Sequence, residues 1–265
     1  MPDWLRAYPP LVRASLQVML TYRGRLVFVF TGALFPMLML FVWLTVDAGG
    51  PTAAGWDGSR FVSYYLAVAV VNSVTSSGIS WAWDRDLRSG ELSSRLLRPV
   101  PVFHQYVAAE AGETIVSTVM LVPVLILMTV ALPIVEFPVG AGAFVAVLVA
   151  TALAFAIAVT MSSTFALISF WTTQSNNVYL LWWGVGAFVS GWIAPLDVMP
   201  SWLRRAAEIL PFRYSLGFPV EIALGLPTRD TVIGFAIAVS WLAAFTVAYV
   251  LLWRRGVRRY QAVGG

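Results

Sequence analysis

Long apolar runs separated by short polar segments dominate the chain. A helix needs about 20 apolar residues to cross the hydrocarbon core of a bilayer. Runs that approach or exceed this length cover residues 26–46, 61–83, 107–132, 139–171, 177–193 and 231–253. The fourth run is longer than a bilayer is thick, so we expect it to tilt, kink or project from the membrane. The pattern predicts an all-α integral membrane protein with six transmembrane helices.

The composition agrees with this class and excludes several others. Only 11% of the 265 residues are charged, whereas a soluble domain carries about 25%. All 17 basic residues are arginine, so the chain lacks the lysine that the phosphate loop of an ATPase requires. It has no cysteine and one histidine, His104, which leaves no cysteine chemistry and no multi-histidine metal site. We therefore predict no catalytic residues and no bound metal on this chain.

The placement of the arginines predicts the orientation in the membrane. Most of them lie before the first run, between the second and third runs, and after the sixth. Such arginine-rich segments stay in the cytoplasm, so both termini are expected there. We interpret residues 1–265 as one transmembrane domain, with a cytoplasmic segment 1–25, six spans in 26–253 and a cytoplasmic tail 254–265. Membrane topology thus accounts for the net charge of +4 without a nucleic-acid partner.

The segment before the first run has the pattern of an amphipathic helix. Five residues fall on one helical face: Leu11, Val12, Ser15, Leu16 and Met19. With arginines beside this stripe, the pattern favours a helix that lies on the inner leaflet. The alternative is an extension of the first transmembrane helix.

The polar loop of residues 84–106, DRDLRSGELSSRLLRPVPVFHQY, contains a short predicted helix. A Ser-Gly-Glu start and a proline stop bound it. Leu92 and Leu96 share one face, while Glu91 and Arg95 have the spacing of an ion pair and Arg98 follows near the end. We expect a leucine ridge that a partner can contact. In the alternative, the arginines only fix the topology and the leucines rest on lipid.

Two segments resemble known proteins. The loop sequence DLRSGELSSRLLRPV is similar to the first cytoplasmic loop of ABC-2 type transporter permeases. The sequence PLDVMPSWLRRAAEILPFRYSLGFPVEIALG, residues 195–225, resembles their segment between spans five and six. The six runs and the cytoplasmic ends also agree, so the resemblance covers nearly the whole chain. The branch that it resembles is that of the daunorubicin-type exporters.

This resemblance implies a function and partners. The chain would be half of the membrane part of an exporter in a prokaryotic cytoplasmic membrane, moving a lipophilic or amphiphilic drug, natural product or lipid. A second permease subunit, identical or homologous, and two ATP-binding subunits carrying Mg-ATP would complete it. The loop 84–105 would hold the coupling helix, with Glu91, Leu92, Arg95, Leu96 and Arg98 docking on the ATPase.

Polar residues inside the runs are candidates for a translocation path. Asn72, Ser76 and Ser80 are spaced by four in the second run, and Asn176 and Asn177 stand at the cytoplasmic end of the fifth. Spans two and five line the pore in the family that the chain resembles. The alternative is that the serines only stabilise the packing of neighbouring helices. For Asn72 this alternative is weaker, because a side-chain amide in the middle of the membrane is unfavourable without a hydrogen-bond partner.

Two glutamates, Glu110 and Glu113, lie one turn apart near the start of the third run. They could attract a cationic lipophilic substrate. In the structural alternative, which we favour, acids in a first helical turn interact with the helix dipole.

Residues 200–210 form a second amphipathic pattern on the opposite side of the membrane. Its apolar face contains Trp202 and Leu203, and Pro211 follows its end. The family resemblance suggests short re-entrant helices that form an outer gate with these residues. A passive surface helix is the alternative.

Two other functions compete with the exporter subunit. An ion- or proton-coupled secondary transporter needs an acid in the middle of a span and commonly shows inverted repeats, and the sequence displays neither. A non-transporting membrane scaffold fits the composition equally well.

Overall fold

The computed structural model describes residues 6–21, 23–48, 55–132, 137, 140–172 and 175–260. This part of the chain is helical and contains no strand, which confirms the predicted all-α class. Short 3₁₀ turns occur at Leu167–Phe170 and Leu196–Val198. The helices are α1 (Tyr8–Thr21), α2 (Arg23–Ala48), α3 (Gly58–Thr75), α4 (Ile79–Arg88), α5 (Glu91–Leu96), α6 (Val102–Ala131), α7 (Ala141–Ala166), α8 (Ser175–Val189), α9 (Ser201–Ile209), α10 (Pro211–Ser215), α11 (Gly217–Ala223) and α12 (Thr228–Gly256).

Four stretches of the described chain are long and apolar enough to cross a membrane. They correspond to the predicted second, third, fourth and sixth runs, although the predicted start of the fourth, Val139, lies outside the described residues. Their bounds are Gly58–Arg88, Val102–Ala131, Ala141–Phe170 and Thr228–Gly256.

The other two predicted spans correspond to α2 and α8. The first falls in α2, whose apolar part among the residues with described side chains is Leu34–Ala48. The fifth corresponds to α8, which has 15 residues and reaches about 22 Å at 1.5 Å per residue. That length is less than the hydrocarbon thickness of about 30 Å. The structure thus agrees with four of the six spans, and the full count stays a prediction.

Two helices form the centre of the bundle. α3 packs against α2, α6, α7 and α11, and residues 61–69 are buried throughout. α7 contacts α3, α4, α8 and α10–α12. Its alanines at positions 150, 154 and 158 are buried and spaced by four, so they lie on one face of α7. Small side chains on one face let neighbouring helices approach closely.

The outward faces of the long helices are apolar. Val119, Leu127 and Val130 of α6 are 63%, 68% and 77% exposed, and Val239 and Val247 of α12 are 55% and 58% exposed. Apolar faces of this extent are unusual on a soluble monomer. They suit contact with lipid or with another membrane subunit.

The predicted N-terminal amphipathic helix is present as α1 and packs along α6. The Ser15 hydroxyl donates a hydrogen bond to the Ala109 carbonyl over 2.9 Å. A Cβ at Gly112 would lie 2.6 Å from Ser15 Oγ, so only glycine permits this approach. Tyr8 Oη and His104 Nδ1 are hydrogen-bonded at 2.7 Å. The position of α1 on the inner leaflet stays a prediction.

Candidate functional site

The second candidate span is interrupted. α3 ends at Thr75 and α4 begins at Ile79, so the second run, residues 61–83, is not one continuous helix. The Ser76 N–H still donates to the Asn72 carbonyl over 2.9 Å. Its ψ of 127° then turns the chain out of the helix. This break removes the helical hydrogen-bond partners of the adjoining backbone.

Side chains from two other helices bind the backbone N–H groups that follow the break. The Gly78 N–H donates to both carboxylate oxygens of Glu110 on α6, each at 3.2 Å. The Ser80 N–H donates to Ser162 Oγ on α7 over 3.1 Å. Because backbone polar groups at membrane depth cannot rely on water, such partners are what allow a broken helix there.

The carbonyl groups at the break are also hydrogen-bonded. Ser117 on α6 donates through its hydroxyl to the Ser73 carbonyl over 2.9 Å. The Tyr179 hydroxyl of α8 donates to the Ser77 carbonyl over 3.4 Å. Side chains of α6, α7 and α8 therefore fix the break from three directions.

The break changes the meaning of the predicted polar stripe. Asn72 is half-buried on α3, Ser76 is exposed at the break, and Ser80 is 1% exposed on α4. They do not share one helix face, because the helix ends between them. At the start of α8, Asn176 is half-buried and Asn177 is exposed. A translocation role for these five residues stays a prediction.

Glu110 and Glu113 do not occupy a first helical turn. α6 begins at Val102, so the two acids lie in its third and fourth turns, and the favoured explanation by the α6 dipole is wrong. Glu110, only 5% exposed, instead stands at the N-terminus of α4, whose dipole favours a negative charge. Glu113 Oε2 lies 3.9 Å from where a Cβ at Gly78 would stand, so this carboxylate also faces the break.

The loop that follows α4 contains the predicted short helix, α5, but its leucines are not an exposed ridge. Gly90 precedes α5 with φ +76°, a left-handed conformation that glycine adopts without strain. Leu92 is 0% exposed and packs in a cluster with Trp83 and Trp253, and Leu96 is half-buried against the same cluster. The expectation that Leu92 and Leu96 present a surface ridge is therefore wrong.

A buried ion pair holds α5 against α4. Asp86 is 0% exposed, and its Oδ2 lies 2.8 Å from Nε of Arg95, whose side chain is 17% exposed. The Tyr106 hydroxyl donates to the same oxygen over 2.8 Å. The guanidinium carbon of Arg95 lies 4.7 Å from the centre of the Tyr106 ring. Arg95 thus faces inward, and sequence reasoning missed Asp86, whose signal was an acid within an arginine-rich loop.

The exposed tip of the loop carries different residues. Leu97 is 88% exposed, and Glu91, Ser94 and Arg98 are also exposed. Tyr260, which follows α12, contacts this loop: its hydroxyl and that of Ser93 are hydrogen-bonded at 2.8 Å. We call residues 84–101 the loop unit, because its ion pair and core contacts hold it as one body.

The segment between α8 and α12 forms the short helices α9, α10 and α11. α9 is present as a helix with the predicted apolar pattern, but that apolar face is only partly covered within the described chain: Trp202 is 68% exposed, Leu203 is half-buried and Ala207 is buried. Pro211 begins α10 and is buried. That these helices re-enter the membrane and form a gate stays a prediction.

An ion pair joins α10 to α11. Arg213 Nε donates to the carboxylate of Glu221 at 3.1 Å, and the two side chains are 13% and 22% exposed. Burial lowers the pKa of the Arg213 guanidinium, but the hydrogen bonds and charge of Glu221 raise it by more, so its net pKa lies above the ordinary value. The guanidinium therefore stays charged.

A cavity of about 700 Å³ opens beside this pair. The start of α3, the 3₁₀ turn before α9, α9 to α11 and the first turns of α12 surround it. Trp202, Leu203 and Pro211 do not line it. The charged residues that do so are Arg60, Asp197, Arg204, Glu208, Arg213, Glu221 and Asp230.

The long apolar helices with apolar outward faces define a multi-pass helical membrane protein. A family model described as ABC-2 family transporter protein matches residues 33–264. The chain belongs to this family, whose members are membrane components of transporters, generally not catalytic themselves, that work with ABC ATP-binding subunits. The predicted resemblance to ABC-2 permeases is thus confirmed, while the daunorubicin-exporter-like branch stays a prediction. A comparison with curated proteins returns no match.

Proposed function

We propose that the protein is a permease subunit of an ATP-driven exporter, with six spans and both termini in the cytoplasm. Two ATP-binding subunits would dock on the loop unit, with Mg-ATP bound to them, and a second permease, identical or homologous, would complete the path. The single observation that carries this proposal is the loop unit itself. It is an internally fixed body with an exposed tip, joined to the rest of the chain through a broken span.

The tip supplies the contact surface in this proposal. Leu97 is 88% exposed and is followed by exposed Arg98, and Glu91 at the start of α5 is also exposed. A lone apolar side chain among charges suits a groove on a partner, where the leucine is desolvated and the charges set orientation. Leu92 and Leu96 would support this contact indirectly, because they anchor α5 to the core of the protein.

The break transmits motion in this proposal. Ion pairing between Asp86 and Arg95 makes α4 and α5 move together. Hinges are typically a few residues at the ends of elements that absorb changes in φ and ψ. Ser76–Gly78 has this character, and the hydrogen bond from the Gly78 N–H to Glu110 would be released or re-formed as the loop unit moves.

The docking proposal is tested by Leu97→Asp in the full chain expressed with its ATPase. We expect loss of ATPase co-purification with normal membrane insertion, because the substitution places a carboxylate in the contact. Ile209→Asp is the matched control, since Ile209 is 72% exposed at the other end of the molecule. Retention of the ATPase by Leu97→Asp would show that the tip is not the docking surface.

The exporter's substrate, by the same proposal, is lipophilic or amphiphilic. Glu113, whose carboxylate faces the break, would attract a cationic part of such a molecule. Transport of a candidate compound into inverted vesicles should fall in Glu113→Gln and remain in Asp57→Asn, which removes an exposed negative charge before α3, outside the loop unit and the break. Equal transport in both variants would argue against attraction by Glu113.

One observation favours a second candidate, a proton- or ion-coupled transporter. Glu110 is a 5% exposed carboxylate inside a helix that can span the membrane, and intramembrane acids commonly serve in proton relays. The two candidates differ in their energy source. Transport that requires ATP and survives an ionophore supports the exporter, and transport abolished by the ionophore without ATP supports the second candidate.

A further inference from the structure

The cavity beside α9 to α11 contains charges of both signs, and some of them already neutralise each other. Arg213 pairs with Glu221 at the joint of α10 and α11. Arg204 NH1 lies 3.9 Å from Asp197 Oδ1, between α9 and the preceding turn. These four residues account for the balanced part of the lining.

Three further charged residues of the lining have no ion-pair partner within the described chain. Arg60, on the first turn of α3, has its guanidinium carbon 4.5 Å from the centre of the Trp56 ring. Glu208 on α9 and Asp230 on the first turn of α12 are exposed carboxylates. Among the residues that the structure describes, the lining therefore offers one cation and two anions without an ion-pair partner, contributed by three different elements.

One wall of the cavity is apolar and leads onto the membrane-facing side of the molecule. Ile233 and Ile237 of α12 line it. Ile233 is 48% exposed, and the neighbouring Val232 is 63% exposed. A ligand with its polar group in the cavity can therefore extend an apolar chain along α12 without crossing a charged surface.

We propose that this cavity binds a zwitterionic amphiphile. Its ammonium group contacts Glu208 and Asp230, its anionic group contacts Arg60, and its apolar chain lies along Ile233 and Ile237. A purely anionic head group would face two unpaired carboxylates, and like charges brought together oppose binding. The cavity volume of about 700 Å³ lies within the range of about 300–1,000 Å³ that holds small ligands.

Lipid retention by the purified full chain tests this site. The probes are phosphatidylethanolamine, which is zwitterionic, and phosphatidylglycerol, which is anionic, with identical acyl chains and in equal amounts. Native mass spectrometry then counts the lipids that remain bound. We expect the zwitterionic lipid to be enriched in wild type and its enrichment to fall about fivefold per carboxylate in Glu208→Gln and Asp230→Asn, since one exposed ion pair contributes up to about 1 kcal/mol.

Glu91→Gln removes the same charge at the far end of the molecule and should leave the enrichment unchanged. Equal retention of both lipids by wild type, or unchanged enrichment in the double variant Glu208→Gln/Asp230→Asn, overturns the proposal. Excess glycerophosphoethanolamine should fail to displace the lipid; displacement would show that the chain along α12 is not needed. The measurement uses neither ATP nor an ATPase, so its failure is distinct from failure of the proposed docking.

Discussion

The ion pair between Asp86 and Arg95 allows a quantitative prediction. Breaking a buried pair by removing one partner destabilises a protein by about 3–5 kcal/mol, because the other charge is left buried. Asp86 is fully buried and lies 2.8 Å from Arg95 Nε. In Arg95→Met, however, Asp86 keeps the Tyr106 hydroxyl at 2.8 Å and Arg85 Nε at 3.4 Å. We therefore expect a loss of about 2–3 kcal/mol, below or at the low end of that range.

The partner substitution should have a smaller effect. Asp86→Asn keeps the shape of the side chain, and Arg95, at 17% exposed, can still reach water. We expect a loss of about 1–2 kcal/mol, between the typical contribution of a neutral hydrogen bond and that of one to a charged group. The double variant should lose less than the two single variants together, because neither charge then remains without its partner. The expected coupling energy is about 1–2 kcal/mol.

Unfolding of the purified chain in mixed micelles, titrated with denaturing detergent, measures these differences for wild type, both single variants and the double variant. Arg98→Met is the matched control, since Arg98 is exposed on the same loop unit. It should change the free energy of unfolding by less than about 0.5 kcal/mol. Strictly additive single effects, or an Arg95→Met variant as stable as Arg98→Met, would refute the view that this pair holds the loop unit together.

Three other substitutions follow from the same geometry. Glu110→Leu leaves the half-buried Gly78 N–H without its Glu110 acceptor and should lower stability by about 1–3 kcal/mol, whereas Glu110→Gln, which keeps an acceptor, should lower it less in the same titration; equal values would contradict the capping role. Gly112→Val places side-chain carbon against Ser15 Oγ, 2.6 Å from the Cβ position, and should detach α1 from α6, seen as faster proteolysis of α1; unchanged cleavage would argue against this packing. Gly90→Ala forces a left-handed residue at φ +76° and should cost about 1–2 kcal/mol in thermal stability, and an unshifted melting temperature would contradict that conformation.

The hydrophobic periodicity of the sequence predicted those helices that are determined by their own local residue pattern. The apolar runs gave the long helices, and the spacing of Leu11 to Met19 and of the residues around Trp202 gave α1 and α9. These patterns suffice because a helix with one apolar face is stable wherever that face is covered.

The features that were missed depend on residues far away in the chain. The sequence around Gly78 predicts a continuous helix, but Gly78 lies in a break. The break is stabilised from other helices, because Glu110 accepts a hydrogen bond from the Gly78 N–H and Ser162 accepts one from the Ser80 N–H. Leu92 was correctly placed on an apolar face of α5, yet periodicity does not say what covers a face. Trp83 and the end of α12 cover this face, and Trp253 of α12 lies 161 positions after Leu92 in the chain.

The docking of α1 on α6 has a consequence for the synthesis of the chain. Ser15 and Ala109 are 94 positions apart, and a ribosome adds about 5–20 residues per second. Helix α1 therefore leaves the ribosome about 5–20 s before its packing partner exists. During that interval the face of α1 that later packs on α6 is available to lipid, the translocation machinery or a chaperone. The order of synthesis thus leaves the α6-facing side of α1 to other contacts for several seconds before α6 covers it.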